Sequence, residues 1–299
     1  MLIYKTKSKR KGFIKNMLNH LVVRRLSRLS KKHIASKKRQ LVVFSFDHIA
    51  HRINVDGLFE KDELGAFFDW MSSVGVDFHR SNALDVGANI GNHSLYFSDY
   101  FDRVDSFEPN PIVYEVLRLN SRLATNVCCH NFGLSDDNIR SNIKIKPTNI
   151  GASSVTVNEG PDTNEIELKT IDSLDGIGNI KLIKIDVEGH ELQVLSGATE
   201  LIREQQPIIL FEHHNSDFND DEKSAVIDFL KENGYENFAT IRKYPYAKKV
   251  FRKASGKNLM RSILPESVRI ELSDYPERGT YVFIVAIPSW LEKSLPGKA

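Results

Sequence analysis

The chain has 299 residues, 41 Lys and Arg against 39 Asp and Glu, and only two cysteines. That length buries one large core with room for appendages, and no apolar run approaches the ~20 residues that cross a bilayer. Cys128 and Cys129 are adjacent on a predicted strand, so they face opposite ways and form neither a disulfide framework nor a CxxC metal site, which fits a reducing compartment.

The formal net charge of +2 hides an asymmetry. Residues 1–40 hold 14 Lys and Arg and no Asp or Glu, leaving 27 basic and 39 acidic residues for the rest. Within this arm Ile14, Leu18, Val22, Leu26 and Leu29 follow helical spacing, flanked by Lys11, Lys15, Arg24, Arg25, Arg28, Lys31 and Lys32. Such a basic amphipathic extension suits the surface of an anionic membrane. The same pattern serves a helix packed on the acidic body, a nucleic-acid arm or an Arg-rich targeting peptide. The apolar core of a secretory signal is missing. A cytoplasmic protein is expected, peripheral to the inner face of the membrane if the arm binds lipid. Residues 41–79 read as a helical adapter, with Phe59 to Trp70 helical and its aromatics either packed on the core or offered to a sugar.

Residues 80–290 read as an α/β domain. Asn82 to Val86 is a short buried strand that runs into the glycine turn of Asp85-Val-Gly-Ala-Asn-Ile-Gly91, with a helix over Asn92 to Phe101. Glycine there allows a sharp turn and close approach to a ligand. The D-x-G-x-x-x-G pattern differs from the dinucleotide G-x-G-x-x-G, and an acid at Asp85 disfavours phosphate and favours a cationic nucleotide-like cofactor, S-adenosylmethionine. The next strand, Val104 to Glu108, ends in an acid at the spacing of a ribose ligand. Glu108 either takes that role or caps the helix over Ile112 to Arg122.

Further strands are expected over Asn126 to Phe132, Ile180 to Asp186, Pro207 to Glu212 and Tyr281 to Ile287, with helices over Glu191 to Arg203 and Asp221 to Asn233. Asp85, Glu108, Asp186 and Glu212 thus line the carboxyl edge of one sheet, where open α/β sheets bind ligands. Thr240 to Ser262 mixes Tyr244, Tyr246 and Phe251 with Arg242, Lys243, Lys248, Lys249, Arg252 and Lys253. It is expected to form a lid or hairpin over an anionic acceptor, or a solvated face.

These segments resemble the FkbM-type methyltransferases. The resemblance rests on Leu84-Asp-Val-Gly-Ala-Asn-Ile-Gly91, Phe107-Glu-Pro-Asn110, Gly133-Leu-Ser-Asp136, Gly151-Ala-Ser-Ser154, Thr170-Ile-Asp172, Ile183-Lys-Ile-Asp-Val-Glu-Gly-His-Glu191 and Ile209-Leu-Phe-Glu212, in the family's order. It implies a class I Rossmann-like fold with a seven-stranded, mostly parallel sheet, and O-methylation of a sugar or specialised metabolite. It further implies that Asp85, Gly87, Ala88, Asn89 and Gly91 shape the methionine end of the cofactor site. Glu108 with Asn110 would serve the ribose, and Asp136 would face adenine unless it only forms an Asx-turn.

Methyl transfer is an in-line displacement at an already activated carbon, so the protein must align an acceptor oxygen and remove its proton. Asp186 is the first choice for that group unless it merely caps a helix start, with Glu188, His190 and Glu212 as supporting or alternate residues. Lys184 lies on the same strand face and can hold the Asp186 pKa down. Asp186, Glu188, Glu212, His213 and His214 could together hold a divalent ion, but their spacing is not diagnostic and a metal is not favoured. A nicotinamide oxidoreductase, a non-catalytic scaffold and a nucleic-acid methyltransferase are the competing functions. The missing G-x-G-x-x-G counts against the first, the intact Asp186-Val-Glu-Gly segment against the second and the acidic body against the third.

Overall fold

A computed structural model describes residues 12–146, 149–156, 163–245 and 266–295. Two compact units divide between Phe59 and Glu60, inside the segment read as an adapter.

The first unit contains α1 (Phe13–Ala35) and α2 (His48–Asp56). Asp47 caps α2 by accepting the Ile49 N–H, and Gly57 ends it in the left-handed conformation. His33 hydrogen-bonds the Val55 carbonyl at 3.2 Å and Lys38 donates to the Asp56 carbonyl at 2.8 Å, joining the end of α1 to α2. Residues 1–11 of the basic arm lie outside the described residues.

The second unit begins with α3 (Lys61–Ser73), β1 (Asn82–Val86), α4 (Asn92–Phe97), β2 (Arg103–Phe107), α5 (Pro111–Ser121) and β3 (Val127–His130). Strands β4 (Gly133–Leu134), β5 (Ile139–Lys146), β6 (Asn149–Thr156) and β7 (Thr163–Lys169) follow. The chain then runs through β8 (Ile180–Ile185), α6 (Glu191–Ser196), α7 (Thr199–Gln205), β9 (Ile208–His213) and α8 (Ala225–Glu232). It closes with β10 (Asn237–Pro245), β11 (Glu266–Ser273) and β12 (Tyr281–Ile287).

The main sheet has the order β11-β10-β12-β9-β8-β1-β2-β3, in which β3 through β9 are parallel and β12, β10 and β11 antiparallel. The expected seven strands are therefore eight. The extra one, β11, pairs along β10 from Phe238↔Ser273 to Pro245↔Glu266, so the hairpin expected at 240–262 has its arms at 237–245 and 266–273. Residues 246–262 of that expectation are outside the described residues. A second sheet, β4-β7-β5-β6, was not expected and encloses its own small core of Ile143, Ile166 and Leu168.

One face of the main sheet buries Leu84, Val86, Ile183, Ile185, Ile209 and Phe211 against α6, α7 and α8. Next to the other face, Phe67 and Phe68 of α3 pack among Phe78, Tyr96, Phe97, Tyr100 and Phe101, so these two aromatics of the expected Phe59–Trp70 helix belong to the core, whereas Phe59 packs against His48 in the first unit.

The helix expected over Glu191 to Arg203 breaks into α6 and α7 at Gly197, where a Cβ would overlap the Ser135 carbonyl. Asp172 accepts the Glu200 and Leu201 N–H groups at 2.9 Å each, so the Thr170-Ile-Asp172 segment caps the second piece. The helix expected from Asp221 starts at Ala225, because Ser224 supplies the cap. Gly234, at φ +94°, stops it as expected.

Candidate active site

The turn after β1 is built by left-handed Gly87 (φ 72°), Asn89 (φ 50°) and Gly91 (φ 85°). Gly87 and Ala88 both donate to the Phe107 carbonyl, at 3.0 and 2.9 Å, which ties the turn to β2. From sequence the glycine makes room for a ligand. In the structure the room at Gly87 is taken by the Asp186 backbone, whose carbonyl a Cβ would overlap. Gly87→Ala is thus expected to lower the unfolding free energy by more than about 1 kcal/mol in urea titrations, from strain and overlap together.

Glu108 is buried just past β2. Its carboxylate accepts the Asn89 N–H at 3.0 Å and the Asn110 N–H at 2.8 Å. It does not cap α5. Asn110 does, accepting from Ile112 and Val113. Burial pushes the Glu108 pKa up to about 7 against the opposing pull of these two N–H groups and Lys184.

Lys184 of β8 is the hub of the carboxyl edge. It is 1% exposed, lies 3.3 Å from Asp85 and 3.4 Å from Asp186, and donates to the Gly87 carbonyl at 3.1 Å. Burial alone would lower its pKa, but the two carboxylates more than reverse that and raise it. Asp85 is fully buried, and the Ser94 hydroxyl donates to it at 2.5 Å. Its charge is met inside the core by Lys184, a partner that the sequence offered only to Asp186.

Asp186 follows β8 with its side chain 34% exposed. Burial favours its neutral form, yet Lys184 and a hydrogen bond from Glu212 hold it below the ordinary carboxylate pKa. Glu212 of β9 moves the opposite way. Burial, the Asp186 charge and their shared hydrogen bond raise its pKa. Two further groups complete this cluster and went unnoticed in the sequence. Glu60 lies 3.1 Å from His93, at 18% and 8% exposure. His93 opens α4 two residues past Gly91, and Glu60 takes a left-handed φ of 54° at the start of α3.

The loop after Asp186 is shaped by left-handed Glu188 (φ 54°) and Gly189 (φ 94°). Glu188 is exposed, whereas buried Glu191 accepts the Val187 and Gly189 N–H groups at 3.3 and 3.2 Å and fixes the loop. No side chain caps α6, so Asp186 is not a helix cap. His190 hydrogen-bonds Ser135 at 2.9 Å, and Ser135 donates to Asp136 at 2.9 Å. His190 therefore joins the segment after β4. Among the described residues no three His, Cys, Asp or Glu side chains converge as metal ligands. His214 lies 3.6 Å from Glu212, but His213 packs against Phe211 and Phe218.

The family model of the methyltransferase FkbM domain matches residues 85–236. The chain belongs to the FkbM methyltransferase family. Among curated proteins it is 34% identical over 142 residues to the hexuronic acid methyltransferase AglP of Haloferax volcanii, covering 46% of this chain and 57% of that one. It is 29% identical over 155 residues to methyltransferase sdnD of Sordaria araneosa, covering 39% and 60%. The chain thus spans a little under two thirds of these relatives. A crystal structure of methyltransferase FkbM from Methylobacillus flagellatus is 26% identical over 46% of this chain and 34% of that one, with a TM-score of 0.35. The matched region holds the Asp85–Gly91 turn, Glu108, Lys184, Asp186 and Glu212. Glu60 lies outside it.

Proposed function

We propose that this member of the FkbM family transfers the methyl group of S-adenosylmethionine to a hydroxyl oxygen of a sugar. The observation that carries the proposal is the placement of Asp186 at the carboxyl edge beside the glycine turn, 3.4 Å from buried Lys184, whose charge favours its ionised form. The hexuronic acid named for the Haloferax relative supports a glycan acceptor.

The turn fits the cofactor. Asn89 Oδ1 is a buried acceptor without a hydrogen-bond partner, and each Glu108 oxygen accepts one backbone N–H with a lone pair to spare. Glu108 would hold the ribose, the Asp85–Gly91 turn the methionine end, and the Ser135–Asp136 segment the adenine. Bound S-adenosylmethionine supplies a methyl carbon activated by its sulfonium charge.

Asp186 accepts the hydrogen bond of the acceptor hydroxyl and so aims the oxygen. A carboxylate with a lowered pKa is a weak base, but the hydroxyl proton becomes strongly acidic as its oxygen is alkylated. Asp186 therefore receives the proton late, and the raised pKa of Glu212 disfavours a second negative charge beside it. The test is transfer of labelled methyl from S-adenosylmethionine to glycans bearing uronic acids or neutral sugars. A folded chain that binds the donor and labels none of them would refute the proposal.

Glu108 sets a pH dependence. Ribose hydroxyls donate to the carboxylate, so cofactor binding favours its ionised form and releases a proton below its pKa of about 7. Affinity is expected to fall about tenfold for each pH unit below that value and to be flat above it. In calorimetry, Glu108→Gln should bind more weakly and lose the slope. An unchanged slope would remove Glu108 from the ribose site.

A further inference from the structure

Helix α1 has 23 residues, about 35 Å of length, and buries none of them. Its first three turns expose Phe13, Ile14, Leu18, Leu21 and Val22, each at 53% or more. Its later turns carry Arg24, Arg25, Arg28, Lys31 and Lys32, and the helix contains no acid. Half-buried Leu29 and His33 mark the stretch that meets α2, which leaves the apolar turns uncovered within this unit. No described helix is long and apolar enough to cross a membrane.

We propose that α1 lies in the plane of an anionic lipid bilayer, its apolar side chains below the headgroups and its cations among them. Two properties select this partner together. A polyanion such as RNA satisfies the arginines and gives the exposed leucines nothing, whereas an apolar groove on a protein leaves an acid-free row of cations unmatched. A bilayer with anionic headgroups supplies both, since interfacial binding scales with buried apolar area and with attraction of each basic residue to the surface. The acidic remainder of the chain, with 27 basic against 39 acidic residues outside the arm, is repelled by the same surface, so the arm alone is left to make the contact.

The test is sedimentation of the full-length protein with vesicles of phosphatidylcholine alone and of phosphatidylcholine with phosphatidylglycerol. Binding is expected to the anionic vesicles, weakening with salt, and to be far lower on the neutral ones. Arg24→Gln/Arg25→Gln/Arg28→Gln should weaken it on the order of a hundredfold. Leu18→Ser/Val22→Ser should weaken it roughly tenfold or more. Both variants should leave S-adenosylmethionine binding and thermal unfolding unchanged, since α1 is outside the core and the site. No binding to anionic vesicles, or binding indifferent to Leu18→Ser/Val22→Ser, overturns the proposal. So does a lipid-free dimer that dissociates in the apolar variant, which would assign this face to a second copy. RNA binding that survives the apolar substitutions, without vesicle binding, would make α1 a nucleic-acid arm instead.

Discussion

Lys184→Met is expected to destabilise the fold by about 3–5 kcal/mol, the cost of leaving buried carboxylate uncompensated. The lysine is 1% exposed and Asp85 fully buried, so no water replaces the ammonium at Asp85. The Ser94 hydroxyl would still donate to that carboxylate, without a compensating charge. The Gly87 carbonyl would also lose its donor, loosening the turn where β1 and β8 meet. Asp85→Asn/Lys184→Met should recover much of the loss, because a buried pair removed together is often replaced at little cost. Denaturant unfolding of the two variants decides the matter. A single-variant loss below about 1 kcal/mol would refute the ion pair as a support of the fold.

Asp186→Asn should cut methyl transfer by about 10²–10⁴-fold, the usual contribution of a positioned proton acceptor, with donor affinity little changed. The amide still fills the space and accepts a hydrogen bond from Glu212, but it cannot take the acceptor's proton. The pH profile adds a separate readout. Asp186 is held below its ordinary pKa, so at saturating donor, where the Glu108 effect on affinity drops out, the acid limb of turnover should begin below the usual carboxylate range. Glu212 is held above its own, so an alkaline limb should appear where it ionises and places a second charge beside Asp186. Glu212→Gln keeps a donor toward Asp186 and should retain much of the activity while losing the alkaline limb. Turnover of Asp186→Asn near that of the native protein would remove Asp186 from the chemistry.

The parallel half of the sheet was legible because four of its five strands, β1, β2, β8 and β9, are short runs with an acid within one residue of the carboxyl end. Asp85, Glu108, Asp186 and Glu212 accordingly fall within one residue of the ends of β1, β2, β8 and β9. The Lys184–Asp186 pairing followed from period-two spacing on one strand. Contacts made across the fold were not legible. That Gly87 faces the Asp186 carbonyl, or that Glu60 reaches His93, depends on how α3 and two strand ends meet, and no local pattern encodes it. Strand β11 did leave a signal, since Val268, Ile270 and Leu272 alternate with Arg269 and Glu271, but the basic residues upstream drew the eye toward a lid. The second sheet was missed because the polar residues of β5 and β7 leave only Ile143, Ile166 and Leu168 to mark a core.

The matched segment, residues 85–236, begins within β1 and stops just before β10. It is therefore not the segment that folds. Strand β12 covers β9, and without it the apolar run from Ile208 to Phe211 would end the sheet with its backbone groups unpaired. A flat, apolar, unprotected border of that kind is a template for pairing with other chains. The antiparallel strands after residue 236 contribute none of the Asp85–Glu212 carboxylates, yet they cover that apolar border and move the edge of the sheet out to β11, where Arg269 and Glu271 alternate with the apolar residues.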